Sequence, residues 1–190
     1  TDSLSHKIFT ACQPLSCFEK FALIEECASP LRELSPRQVS QFSEVMNGLV
    51  TMDQKVDLFE WSLQKVIYHQ LAIQEDSSKK DPHGSGGISK NIDFCLPFLG
   101  ALALFGGNEK DALDSYSRGV SILDNKASKD LLPSNKCGID ALENCLPRLQ
   151  KLSASAKRDF LSACIATAQH DQEISEIEFL ILRGLAAAIS

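Results

Sequence analysis

The chain repeats itself. Displaced by 118 residues, its two ends align without a gap: "CASPLRELS" from Cys27 falls on "CLPRLQKLS" from Cys145, since 145 − 27 = 118. Leu31 meets Leu149, Leu34 meets Leu152, Ser35 meets Ser153 and Phe42 meets Phe160. Further along, "DQKVDLFEW" at 53–61 meets "DQEISEIEF" at 171–179, so Asp53, Gln54 and Glu60 fall on Asp171, Gln172 and Glu178. Glu25 meets Glu143, and the apolar positions agree as well: Phe21 with Ile139, Ile24 with Leu142, Leu63 with Ile181. A repeat constrains a fold strongly, because both copies must form the same local structure and bury the same face. The register predicts two copies of a three-helix unit.

Each copy parses into helices. The first runs through "FEKFALIEECA" and, in the second copy, "GIDALENCLPRL". The next follows "LSPRQ", where Ser35 is placed to cap, Pro36 occupies the first helical position and Gln38 completes a capping box. Its apolar residues Val39, Phe42, Val45, Met46 and Leu49 recur at helical spacing. In the second copy Ser153 opens "ASAKRDFLSACIATA", with Phe160, Cys164 and Ala168 on one face. Between the copies, "QEDSSKKDPHGSGGISK" reads as an exposed, flexible loop. Two helices follow it, one over 92–105 ending at Gly106-Gly107, the other starting at Asn108 with Asp111 at its third position. No strand alternation appears. The expected fold is all-α: a first helical repeat at 1–75, a loop at 76–90, a central helical hairpin at 91–123 and a second repeat at 124–190, in one compact domain.

The doubled Asp…Glu turn admits two readings. In the first, Asp57 with Glu60 forms a D-x-x-E capping box and Ser175 with Glu178 an S-x-x-E one: the cap side chain accepts from a first-turn amide, and the glutamate reaches back to the cap's own N–H. Val56 and Ile174 before the caps, with Trp61 and Phe179 four residues into the helices, then make a hydrophobic staple in each copy. Asp53 and Asp171 bond turn amides. In the second reading, Asp53 with Glu60 and Asp171 with Glu178 hold a cation. The seven-residue spacing lacks the oxygen-dense loop and internal glycine of an EF-hand, and it would leave most ligands to water. Capping accounts for the glutamates without a ligand.

Composition excludes other classes. Nineteen basic against twenty-five acidic residues give a net charge of −6, with no Lys/Arg stripe for nucleic acid. Seven cysteines, an odd number with no C-x-x-C pair, argue against a disulfide framework or a zinc ribbon and for a reducing compartment. The longest apolar run, "FCLPFLGALALFG", is too short to span a bilayer. Cys164 and His170 lie six residues apart on one helix and face different sides, so they make no nucleophile–base pair. "PHGSGG" lacks the Gly-Lys-Ser/Thr ending of a phosphate loop.

The turn Asp-x-x-[Val/Ile]-x-x-x-Glu resembles the tellurite-resistance TerB-like helical fold, although Gln54 and Gln172 stand where that family has glycine. A resemblance over most of the chain joins three blocks: "CASPLRELSPRQVSQFSEVMNGLVTMDQKVDLFEWSLQKVI", "LGALALFGGNEKDALDSYSRGV" and "LSASAKRDFLSACIATAQHDQEISEIEFLILRGLAAAI". In that order they look like the C-terminal tail of large bacterial membrane zinc metallopeptidases related to the CAAX prenyl protease and HtpX. The resemblance implies a soluble, non-catalytic domain on the cytoplasmic side of a bacterial inner membrane. Its partners would be its own protease domain, a protein substrate or another copy, with the zinc and the H-E-x-x-H signature of the parent lying upstream. The four histidines here, His6, His69, His83 and His170, lack that spacing, so this segment is expected to hold no cofactor and no catalytic residue. The alternative is a free-standing cytosolic TerB-like module responding to metals or stress.

Overall fold

The computed structural model describes residues 2–50, 57–75, 84–106, 111–169 and 173–190. Their regular structure is helical, and the one β contact among them is an isolated bridge between Gly86 and Leu152. Helices α1 (Asp2–Cys12), α2 (Cys17–Leu31), α3 (Pro36–Val50) and α4 (Leu58–Glu75) form the N-terminal part. α5 (Ile92–Ala101), continued by a π-helical turn over Leu102–Gly106, and α6 (Ala112–Leu123) form the central hairpin. α7 (Ile139–Leu149), α8 (Ala154–Ala168) and α9 (Glu176–Ile189) close the chain.

Apolar spacing explains the packing. α4 lies along α9, α6 along α8 and α5 on α7. The main core joins Trp61 of α4 to Phe98, Leu99 and Leu102 of the hairpin and to Leu142, Leu149, Phe160, Cys164, Ile181 and Leu185 of the C-terminal helices. Phe98 and Phe160 meet edge to face at 6.0 Å. A second cluster, Phe21, Val66 and Leu180, ties α2 to α4 and α9, with Phe21 edge-on to both Phe59 and Phe179. Two glycines set close approaches between helices. A Cβ on Gly184 would fall 2.2 Å from the Trp61 ring, and one on Gly119 2.1 Å from the Thr167 hydroxyl. Gly184 thus makes room on α9 for the Trp61 ring of α4, and Gly119 lets α6 come close to Thr167 of α8.

Three expectations need correction. α1 is an additional helix, which the repeat register does not reach. α6 begins at Ala112 with Asp111 as its N-cap, later than the Asn108 start expected, and 107–110 lie outside the described residues. The expected loop is anchored at its end. The Gly86 N–H donates to Lys151 O at 3.1 Å, the Ser153 N–H donates to Gly86 O at 2.9 Å, and a Cβ on Gly84 would fall 2.0 Å from Lys151 O. Glycine is required here by the close backbone approach. The polar stretch before α7 is likewise pinned, with Leu131 and Leu132 against the core and Cys137 fully buried.

Candidate functional site

The capping boxes of α4 and α9 form. Asp57 Oδ1 accepts from the Glu60 N–H at 2.8 Å, while Glu60 Oε2 accepts from the Asp57 N–H at 3.1 Å. Ser175 Oγ accepts from the Glu178 N–H at 3.3 Å, and Glu178 Oε2 accepts from the Ser175 N–H at 2.8 Å. At α3, Gln38 Oε1 accepts from the Ser35 N–H at 2.9 Å and from the Ser35 hydroxyl at 2.7 Å. Ser153 Oγ caps α8 by accepting from the Ala156 N–H. A further S-x-x-E box at Ser16 and Glu19 opens α2. Its signal in the sequence is "SCFE", a serine followed three residues later by glutamate. Its two hydrogen bonds from Ser16 hold the Glu19 carboxyl below the usual range.

Of the proposed cation ligands, Glu60 and Glu178 are thus caps. Glu178 is buried, 4% exposed, against the π turn: a Cβ on Gly106 would fall 2.1 Å from its Cγ. Asp53 and Asp171, together with Val56 and His170, lie outside the described residues. Ile174 is 41% exposed. No group of three His, Cys, Asp or Glu side chains among the described residues could hold a metal ion. Alanine at Asp57 or at Ser175 is expected to lower stability by about 1 kcal/mol in urea unfolding; an unchanged midpoint in both would mean that the boxes contribute nothing.

Charged contacts join the two ends of the chain. Lys65 of α4 pairs with Glu143 of α7 at 2.6 Å, and the Trp61 indole N–H donates to the same carboxylate. Arg183 of α9 pairs with Glu25 of α2. The Cys17 N–H donates to Glu176 at 3.2 Å, and Phe18 packs against Phe179 with ring centroids 4.6 Å apart and the planes tilted by 53°. A cleft of about 310 Å³ opens beside Lys65, Tyr68 and His69, between α4, α7 and the end of α9. Burial, with the nearby Arg32 charge, pushes the His69 imidazole below its ordinary value and favours its neutral form. The Tyr68 hydroxyl donates to Asn47 at 2.7 Å. This arrangement supplies no nucleophile with a base oriented behind it.

Four of the seven thiols are core residues. Cys95, Cys137, Cys145 and Cys164 are buried, whereas Cys27 is exposed. Burial pushes Cys95 up to about 12 and Cys137 to about 11, and it raises Cys145 and Cys164 as well. A protonated, enclosed thiol is not a nucleophile.

Comparison with protein-family models, with curated proteins and with solved structures finds no match to this chain. No helix among the described residues is long and apolar enough to cross a membrane.

Proposed function

We propose that this chain is a non-catalytic helical accessory domain of a membrane-anchored zinc endopeptidase, and that it works by binding protein. The partner would be the protease domain of its own polypeptide or a substrate segment. The observation that carries this reading is the succession of three sequence blocks, beginning at Cys27, Leu99 and Leu152, in the order of such tails on a chain with no H-E-x-x-H. The residues here do not fit the parent's zinc, because no two histidines have ligand spacing, and no catalytic step is assigned to them. Cysteines that are free rather than bridged agree with a reducing, cytoplasmic placement.

A duplicated, TerB-like architecture belongs to the same reading, with two three-helix units about an approximate two-fold axis. The ion pairs support it. Since 25 + 118 = 143 and 65 + 118 = 183, the pairs Glu25–Arg183 and Glu143–Lys65 join equivalent positions in opposite directions. The third helix of each copy reaches the first helix of the other, as exchange about a two-fold axis requires.

The test is a fractionation blot in the source organism with an antibody to this chain. A membrane band far above 20.8 kDa is expected, and deleting the segment should alter proteolysis by the parent. A soluble band near 20.8 kDa would overturn the reading in favour of a free-standing TerB-like module. The deciding experiment would then be a melting-temperature shift with calcium, magnesium or zinc that disappears in Asp53→Asn plus Asp171→Asn.

A further inference from the structure

We draw no further inference here: the strongest candidate, the cleft of about 310 Å³ between α4, α7 and the end of α9, points to no class of ligand, since Glu143 already neutralises its Lys65, Asn47 already accepts from its Tyr68 hydroxyl, and its His69 is set apart only by a lowered pKa.

Discussion

Replacing Trp61 by alanine is expected to lower the unfolding free energy by about 3–5 kcal/mol. The side chain is 1% exposed and is the largest in the core. Its ring lies on Gly184 of α9, and its indole N–H reaches Glu143 of α7. Removal would open a cavity where α4 crosses α9 and would leave the carboxylate to Lys65 alone. Since small domains are stable by about 5–15 kcal/mol, this loss is a large share of the total. Trp61→Phe keeps most of the volume and should cost about 1–2 kcal/mol, mostly through the lost hydrogen bond. Urea unfolding followed by circular dichroism measures both. Equal midpoints for Trp61→Ala and the parent chain would mean that α4 and α9 are not held together there.

Raising the pH above 9 should destabilise the fold steeply, through the thiols. A cysteine in the unfolded chain ionises near 9.0, whereas burial holds Cys95 protonated to about 12 and Cys137 to about 11. Between those values the unfolded state binds fewer protons than the folded one, so stability falls as pH rises. The stabilisation is complete below 9 and is lost progressively above it. At pH 10, one unit above the unfolded value, each of these two thiols costs on the order of 1 kcal/mol. Cys145, Cys164 and the buried Tyr116 hydroxyl, itself pushed to about 12, act in the same direction. The urea midpoint should therefore drop clearly between pH 8 and pH 10, and Cys95→Ala should flatten the slope. A midpoint constant over that range would show that the thiols are not enclosed. In the folded protein at neutral pH, Cys27 should react with a thiol reagent well before the four core cysteines.

Much of the fold was legible because its signals are local. Pro36 opens α3 where the sequence places it, since a missing N–H costs nothing in a first turn. Asp57, Ser175 and Ser153 cap the helices that follow them because each has an acceptor at the right offset. The Asp111 start was misread because that helix opens without a side-chain cap bond, so nothing in the residue pattern fixes its first turn. Gly84 and Gly86 looked like flexible punctuation for a similar reason. Glycine reads the same in a free loop and in one pressed against Lys151, and the difference lies in a partner 65 residues away, since 151 − 86 = 65.

The candidate site divides along the same line. The glutamates of the doubled turn were readable as caps, because a capping box needs only residues three apart. That Glu178 would also be buried, against Gly106 of the π turn, while Glu60 is only half-buried, depends on that turn packing on α9. That Glu25 would find Arg183, and Glu143 both Lys65 and Trp61, depends on α4 and α9 crossing. By itself the sequence determined the all-helical class, the capped helix starts and the 118-residue register, because each follows from spacing within a few turns of helix or from identity between two stretches. Tertiary structure decided where the hairpin packs, which apolar side chains stayed exposed and which carboxylates found cations. Those outcomes turn on close approaches between helices far apart in the chain, where a Cβ on Gly184 would meet the Trp61 ring and one on Gly119 the Thr167 hydroxyl.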